Sequence, residues 1–370
     1  MKMKKVIALI LALACTFSLL TSCGGSSSST TASPSGAVSS APTEATVTPR
    51  VLKFDSTYST AIYEDADGIG TASPEKYFMD KFSEVTGGRY TVKTYLDNTL
   101  ASNMTERMGG IKSGAFELAS PALGNWGEYT DAFAEFNVPY LFKSLDVVEK
   151  FLDSDVAESM KAKVEADCGV KCLWWGIVGF REISTNKALI KTPADVKGLK
   201  IRVMSDPIQV ASFEALGANV TNVSFSELFT AMQQKLIDAQ DNPLNNVYNN
   251  KFYEVQNYIT MTNHSFTASM YIMSMDLWNS MSAEDQAAIN DLCKEMNAVA
   301  IDAIRDSDAK LISMLEDSGI EFYYPTDDEL SQFQDLMKEK VYPQCEEIMG
   351  TDRWNKLIKC VSDIEAELGV

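Results

Sequence analysis

The sequence predicts an α/β protein built of two lobes, and three observations support this prediction. Segments with the apolar or alternating pattern of β-strands alternate along the chain with segments that have the caps of α-helices, which favours largely parallel sheets. Hydrophobic residues make up 45% and charged residues 22% of the chain, a composition typical of a soluble globular protein. The length of 370 residues suits two lobes better than one small module.

The first part of the chain has the pattern of an export signal. Lys2, Lys4 and Lys5 form a positive segment, and residues 6–20 are largely apolar but too few for a membrane-spanning helix. A leucine and two small residues then precede Cys23, which is the pattern of a bacterial lipoprotein. We therefore predict a lipoprotein signal peptide over residues 1–22 and lipidation of Cys23. The alternative is an ordinary signal peptide followed by a chance cysteine.

The next segment has the composition of a flexible tether. Residues 24–49 are rich in Ser, Thr, Ala, Pro and Gly and carry one charge, Glu44. We predict that residues 23–50 connect the lipid anchor to the folded part, which places the protein on the extracytoplasmic face of the cell membrane. Removal of residues 1–22 would change the formal charge from −19 to −22. Such an acidic chain is a poor candidate for a nucleic-acid binder.

The folded part is predicted to begin near residue 51 and to alternate strands with helices. Ser73 is a typical N-cap before Pro74, and Gly114 is a typical helix end. The apolar and alternating patterns predict strands over residues 51–54, 89–96, 116–120, 170–177, 183–186 and 200–203. The helical patterns lie over residues 73–86, 104–113, 145–167, 207–216 and 226–234.

One predicted helix is much longer than the others. Ser282 is a suitable N-cap, Gly319 is a suitable stop, and the 36 residues between them contain no Pro or Gly. A helix of this length spans ~54 Å, which exceeds the width of one lobe. The apolar stripe is too mixed and short for the alternative, a coiled-coil arm. We therefore predict a helix that packs on both lobes.

Cysteine and histidine usage restricts the chemistry. The only histidine is His264, which excludes a zinc site of several histidines, and we predict neither metal nor cofactor. Five cysteines lie in the folded part, an odd number that does not suit a regular disulfide framework. We expect most of them to be buried free thiols, with a bridge between Cys345 and Cys360 as the open alternative.

Two arginines are candidate ligand contacts. The chain has seven arginines, and Arg181 and Arg202 both lie within apolar, strand-like segments. A buried guanidinium needs an anionic partner, and its planar fork matches a carboxylate. That partner is either the carboxylate of a ligand or an internal Asp or Glu.

Three segments resemble the solute-binding proteins of TRAP transporters, of the DctP (dicarboxylate-binding) type. These are Thr-Pro-Ala-Asp-Val-Lys-Gly-Leu-Lys-Ile-Arg-Val at 192–203, the segment 231–243, which ends Asp-Asn-Pro, and the segment 245–258, which contains Lys-Phe-Tyr-Glu-Val-Gln. Less tightly, the resemblance extends over nearly all of residues 51–345. Ala239 and Asp241 depart from the second motif, which commonly has Gly and Glu there.

The resemblance implies a two-lobed, periplasmic-binding-protein-like fold (type II-like). A ligand cleft lies between the lobes, and crossing strands and a long helix connect them. We assign residues 51–178 and 268–307 to lobe I, and residues 179–267 and 308–370 to lobe II. Hinge closure of the lobes would enclose the ligand.

The resemblance also implies roles for individual residues. Arg202 matches the arginine that grips the substrate carboxylate, and Arg181 matches a second basic residue. Asn242 matches an asparagine that hydrogen-bonds the same carboxylate. Phe225 falls where an aromatic ring often packs on the ligand, and ordinary core packing is the alternative for this residue.

Further candidates follow from their positions after strands, where clefts form in α/β proteins. Trp174 and Trp175 lie near the predicted hinge, and strand alternation should send one of them to the core and one to the cleft. We predict Trp175 for the cleft. The remaining candidate ligand contacts are Tyr58, Glu64, Ser120, Trp126 and Ser205.

The resemblance implies a non-enzymatic function. We expect a monomeric, lipid-anchored solute-binding protein that captures a small organic acid and delivers it to the membrane permease of a TRAP transporter. The expected ligands are sugar acids, including uronates, and C4-dicarboxylates. The alternatives are a secreted carbohydrate-active enzyme and a structural surface lipoprotein.

Overall fold

The computed structural model describes residues 48–64 and 72–370. The predicted signal peptide, Cys23 and almost all of the predicted tether lie outside the described residues. Val47–Val370 form one compact unit. Within the described ranges, no helix is long and apolar enough to cross a membrane.

The centre of this unit is a nine-stranded mixed sheet with the order β2-β1-β3-β8-β4-β7-β5-β6, and β9 pairs with β8. The strands are β1 (Arg50–Asp55), β2 (Tyr90–Tyr95), β3 (Leu118–Ala119), β4 (Val170–Thr185), β5 (Lys200–Val203), β6 (Asn219–Asn222), β7 (Ala239–Asn242), β8 (Tyr258–Ser274) and β9 (Glu321–Tyr323). The strands around β1 and around β5 pair in parallel, as predicted, but β4 pairs antiparallel with both β8 and β7.

The two longest strands, β4 and β8, pair with each other in the middle of the sheet. The predicted strands 170–177 and 183–186 are therefore one strand. Three register shifts interrupt this pairing, one of them between Ile177 and Gly179. Gly179 has a φ of +124°, a conformation that favours glycine, so the strand continues through a segment whose sequence suggests a break.

Helices cover both faces and the ends of the sheet. They are α1 (Thr60–Tyr63), α2 (Ser73–Val85), α3 (Met104–Ser113), α4 (Leu145–Leu152), α5 (Asp155–Cys168), α6 (Pro193–Val196), α7 (Pro207–Ala215), α8 (Phe225–Gln233), α9 (Leu244–Asn249), α10 (Met275–Ser280), α11 (Ala283–Asp317), α12 (Asp327–Lys340), α13 (Tyr342–Met349) and α14 (Thr351–Leu368). Short 3-10 segments lie at Leu123–Asn125, Ala134–Asn137 and Phe252–Glu254.

Two predicted helix boundaries are wrong, and both errors have a local cause. The predicted helix 145–167 is two helices, because the Ser154 hydroxyl accepts a hydrogen bond from the Ala157 amide at 3.2 Å and starts α5. Helix α2 begins at Ser73 itself, with Ala72 in the cap position and no side-chain cap. The proline next to Ser73 starts the helix without needing a capping hydroxyl.

The long helix α11 has the predicted bounds and cap, since the Ser282 hydroxyl accepts a hydrogen bond from the Asp285 amide. It joins two hydrophobic cores. Ile289 and Met296 belong to a large core around β1, β4 and β8, whereas Leu311 and Leu315 belong to a smaller core with α8 and α9. The prediction that this helix packs on both parts of the molecule is therefore confirmed.

The C-terminal helix packs on helices from an earlier part of the chain. Helix α14 contacts α4 and α5, and Lys143 pairs with Glu365 at 2.9 Å across that contact. These helices lie in the segment that the sequence analysis assigns to lobe I, whereas it assigns residues 308–370 to lobe II. The apolar stripe of α14 finds its partner surface there because Leu357 and Val361 join the large core.

The five cysteines of the folded part are free thiols, four buried and one, Cys360, half-buried. The alternative of a bridge between Cys345 and Cys360 is not realised. The prediction of mostly buried free thiols is confirmed.

Candidate functional site

A cleft with a volume of about 400 Å³ opens where several strands of the sheet end. Residues that follow β1, β3, β5 and β6 line it, together with residues of β4, β7, β8 and α9. Ligands of α/β proteins bind outside the carboxyl ends of the strands, and this cleft has that position. The lining residues that decide its chemistry are Tyr58, Arg107, Ser120, Glu128, Arg181, Arg202, Ser205, Phe225 and Asn242.

Strand β5 carries Arg202 to the wall of the cleft. The side chain is 4% exposed, and its Nε donates a hydrogen bond to the Val223 carbonyl at 3.0 Å. Within the described residues Arg202 forms no ion pair with a carboxylate. Burial, and then the nearby Arg181 guanidinium, lower the pKa of Arg202 to about 10. The cleft therefore contains a buried cation for which residues 48–64 and 72–370 supply no ion-pairing carboxylate.

The other six arginines differ from Arg202 in this respect. Each lies within ion-pair distance of at least one carboxylate. The pairs are Arg50 with Glu117, Arg89 with Asp285, Arg107 with Asp55, Arg181 with Asp241, Arg305 with Asp146, and Arg353 with Asp131. Most of these arginines are more exposed than Arg202. A buried charge needs a partner more than an exposed one does, yet Arg202 has no carboxylate partner among the described residues.

Arg181 lines the cleft, but its charge is compensated internally. Its Nε lies 2.5 Å from Asp241 Oδ2, and its Nη1 donates to the Thr267 hydroxyl at 2.8 Å. His264 Nε2 lies 3.2 Å from the same Asp241 oxygen. Burial alone would raise the pKa of Asp241, but Arg181 and His264 hold it well below its usual range. For Arg181 the open alternative of an internal partner is the one realised.

Asn242, at the end of β7, belongs to a chain of side-chain amides. Its Nδ2 donates to Gln240 Oε1, and its Oδ1 accepts from Asn246 Nδ2 at 3.1 Å. Gln240 Nε2 in turn donates to the Ser184 hydroxyl at 2.6 Å. These bonds orient the Asn242 amide at the cleft wall.

Phe225 and Ser205 also line the cleft. Phe225 is the first residue of α8, and it packs edge-on against Phe252 with ring centroids 5.9 Å apart. Because it is half-buried, the ring contributes to the smaller core and to the cleft wall at once. Ser205 follows β5 and is exposed.

Among the other candidates, Tyr58 and Ser120 line the cleft, but Glu64, Trp126 and Trp175 are not among the described lining residues. Glu64 is exposed to solvent. Trp126 packs on Phe133 with centroids 5.3 Å apart, inside the large core. The prediction of these three residues as ligand contacts is not matched by the geometry.

Trp175 is fully buried because β4 is covered on both faces. Its ring packs on Phe136 with centroids 5.3 Å apart, while Trp174 stacks on Tyr271 at 3.8 Å. Alternation along a strand separates a core face from a wet face only when one face meets water. Both tryptophans of β4 therefore belong to the core.

The sequence analysis missed two charged residues of the cleft. Arg107, on α3, lines it and pairs with Asp55 at 2.5 Å. Glu128 lies in the irregular segment after Leu123–Asn125, is exposed and also lines the cleft. Neither lies in an apolar strand pattern, so the signal that identified Arg202 is absent for both. Groups of three or more metal-ligating side chains are absent from the described ranges.

Comparison with known proteins identifies the family. The model of DctP, the bacterial extracellular solute-binding protein family 7, matches residues 65–347. The chain belongs to this family. The prediction of a solute-binding protein of the TRAP type, rather than an enzyme or a structural lipoprotein, is thereby confirmed at the level of the family.

Two curated relatives illustrate the family. The chain is 30% identical over 303 residues to the 2,3-diketo-L-gulonate-binding periplasmic protein of Escherichia coli. This alignment covers 82% of this chain and 90% of the relative. It is 32% identical over 252 residues to the C4-dicarboxylate-binding periplasmic protein of Vibrio cholerae. That alignment covers 67% of this chain and 73% of the relative.

A solved structure has the same fold. The TRAP periplasmic solute-binding protein of Sulfurospirillum deleyianum, with bound succinate, superposes with a TM-score of 0.75 at 27% identity. The match covers 83% of this chain and 97% of that one. The predicted α/β architecture of a two-lobed periplasmic binding protein is confirmed by this similarity.

Proposed function

We propose that this protein captures a small organic acid outside the cytoplasm and delivers it to the membrane permease of a TRAP transporter. In this proposal the ligand carboxylate pairs with Arg202, and Asn242 and Phe225 complete its surroundings. The ligand is a sugar acid, a uronate or a C4-dicarboxylate, as the names of the relatives suggest. One observation carries the proposal: Arg202 is buried at the cleft and has no carboxylate partner among the described residues.

The physical argument concerns affinity. A small acid offers few atoms, so a charge-assisted, bidentate hydrogen bond to a guanidinium supplies much of its binding energy and fixes its orientation. The Arg202 guanidinium is already shielded from water before the ligand binds. Pairing with a carboxylate therefore costs little further dehydration of the protein. The Asn242 amide adds a neutral donor, and the Phe225 ring excludes water from one side of the ion pair.

A thermal-shift screen tests the proposal. Sugar acids, uronates and dicarboxylates are added to the purified protein, and at 100 times its dissociation constant a ligand stabilises the fold by ~2.7 kcal/mol. Arg202→Ala should abolish the shift while the empty variant stays folded. Arg305→Ala, which removes an arginine outside the cleft, is the matched control and should keep it. A ligand-induced shift that survives in Arg202→Ala would contradict the proposal.

The proposal includes the lipid anchor and the lobe movement. Cys23 carries the lipid after removal of residues 1–22, residues 23–50 form the tether, and the folded part acts as a monomer. Mass spectrometry of the membrane-extracted protein should find diacylglycerol on an N-terminal Cys23, and Cys23→Ala should release the protein from the membrane. A Cys23→Ala protein that stays membrane-bound would contradict the anchor. Ligand binding closes lobe I, residues 51–178 and 268–307, on lobe II, residues 179–267 and 308–370.

A further inference from the structure

Among the described residues, three arginines line the cleft, and one of them, Arg202, has no compensating carboxylate. Arg107 pairs with Asp55, Arg181 pairs with Asp241, and both ion pairs have N–O distances of 2.5 Å. The four side chains are at least 95% buried, so water does not separate the charges. Arg202 remains as the one cation of the cleft lining without a carboxylate partner in the described ranges. A second anionic group of a ligand would find no free guanidinium there.

The cleft also contains a negative charge. Glu128 is exposed and lines the cleft, and its side chain makes no hydrogen bond or ion pair within the described residues. A carboxylate with no cationic partner repels a second carboxylate that enters the same cleft. It can still accept hydrogen bonds from hydroxyl groups.

Neutral polar groups supply most of the remaining lining. Several side chains of the cleft carry hydroxyl or amide groups that make no side-chain hydrogen bond within the described part of the chain. They are Thr57, Thr105, Asn125, Ser205, Asn222 and Ser269. Thr105 lies on α3, Ser269 lies on β8, and the others lie in loops, in a 3-10 segment or at a strand end, so these donors and acceptors come from several elements around the cleft. They match a ligand that bears several hydroxyl groups and no further charge.

We propose, on the basis of the function proposed above, that the cleft selects acids with one carboxylate and a neutral, hydroxylated remainder, and that Glu128 is the residue that rejects dicarboxylates. The ligand carboxylate pairs with Arg202. The hydroxyl groups of the remainder bond to the neutral lining groups and to Glu128. A second carboxylate would lose its hydration, meet no free cation and approach Glu128.

Isothermal titration calorimetry of the purified protein with matched pairs of acids tests this proposal. Galactonate and galactarate have the same carbon chain and differ by the second carboxylate, as do gluconate and glucarate. Hexanoate has one carboxylate and no hydroxyl groups, and succinate is a small dicarboxylate. We expect an aldonate to bind at least about tenfold more tightly than its matched aldarate, than succinate and than hexanoate.

Glu128→Gln identifies the residue responsible. This variant should bind the aldarate about tenfold more tightly than the wild-type protein does and the aldonate within about threefold of it, because the charge at position 128 repels only a second carboxylate, whereas the Gln oxygen still accepts hydrogen bonds from hydroxyl groups. Glu347→Gln removes the same charge from an exposed residue that does not line the cleft, and it is the matched control. A Glu128→Gln variant with unchanged aldarate affinity would overturn the role of Glu128.

The outcomes separate this inference from the proposed function. If succinate or an aldarate binds more tightly than every aldonate and Arg202→Ala abolishes that binding, the selectivity is wrong and the proposed function stands. If hexanoate binds as tightly as the aldonates, the hydroxyl-recognising lining is wrong. If no acid of the panel binds and glucuronate and galacturonate do not bind either, both proposals fall together.

Discussion

The guanidinium of Arg181 and the carboxylate of Asp241 form an ion pair in which Nε lies 2.5 Å from Oδ2, with both side chains almost completely buried. Asp241 is one of the two positions at which the chain departs from the second family motif. It occupies the guanidinium that the sequence analysis assigned to the ligand. The ion pair therefore joins β4 to β7 and compensates the charge of Arg181. Arg202 has no carboxylate partner among the described residues, which is the condition that the proposed function requires.

Removal of Arg181 should destabilise the fold. Arg181→Ala leaves Asp241 buried and paired only with His264, and breaking a buried ion pair in this way costs about 3–5 kcal/mol. Urea unfolding followed by circular dichroism measures the loss. The double variant Arg181→Met/Asp241→Leu should recover most of it, because both charges are then absent. An Arg181→Ala protein as stable as the wild type would show that Asp241 does not need its partner.

Because Trp175 lies in the core, its substitution should lower the stability of the fold and leave ligand affinity unchanged. Trp175→Phe removes part of a buried ring from the contact with Phe136 and should lower the free energy of unfolding by about 1–3 kcal/mol. The affinity for the ligand found by thermal shift should stay within about twofold, since the ring does not line the cleft. A large loss of affinity without a loss of stability would restore Trp175 as a ligand contact.

Because two carboxyl groups are buried, we expect the free energy of unfolding to fall as the pH rises above 4.5. Burial raises the pKa of Glu75 and of Glu182 from 4.5 to about 8. Between those values the folded state binds more protons than the unfolded state, so the free energy of unfolding decreases with pH, by at most about 1.4 kcal/mol per pH unit for each group. Below 4.5 both states are protonated, and this decrease ends.

Glu75→Gln tests the assignment of this slope. Glu75 Oε2 accepts a hydrogen bond from the Tyr271 hydroxyl at 2.7 Å, and the amide oxygen of Gln can accept the same bond. Urea unfolding of this variant at pH 5.5 and pH 8 should show a smaller difference between the two pH values than wild type shows. An equal difference would mean that Glu75 does not titrate in this range.

The thiols should be unreactive in the folded protein. Burial raises the pKa of Cys293 and of Cys345 to about 12, and Cys168 and Cys172 are also buried with raised pKa values. With Cys15 and Cys23 replaced by Ala, a thiol reagent such as DTNB at pH 8 should modify the half-buried Cys360 first and the other four only on unfolding. Rapid reaction of more than one thiol would contradict the burial pattern.

The fold was largely predictable because its signals are local. The caps of α11, Ser282 and the stop at Gly319, define its ends without help from the rest of the chain. The strand at 200–203 has the predicted bounds because the apolar pattern is short and bounded. The predictions that failed depend on what covers a segment: β4 is buried on both faces, so the pattern of Trp174 and Trp175 carries no information about the cleft.

The site was predictable in part. Arg202 could be selected from the sequence because burying a cation in an apolar strand costs free energy unless an anion pairs with it. That argument needs no structure. The same argument selected Arg181, and only the structure shows that Asp241, 60 residues later, lies beside it. Glu128 lies in an irregular loop, where the sequence contains no periodicity that could indicate its direction.

Under the proposed function, the lack of a carboxylate partner for Arg202 in the described part of the chain has a consequence for the lifetime of the protein. An empty cleft keeps a desolvated cation that an occupied cleft neutralises, so the empty molecule opens more often than the filled one. Proteases degrade molecules from their opened population. Under the proposed function, a cell supplied with the ligand should therefore retain each copy longer than a cell without it, with no change in synthesis.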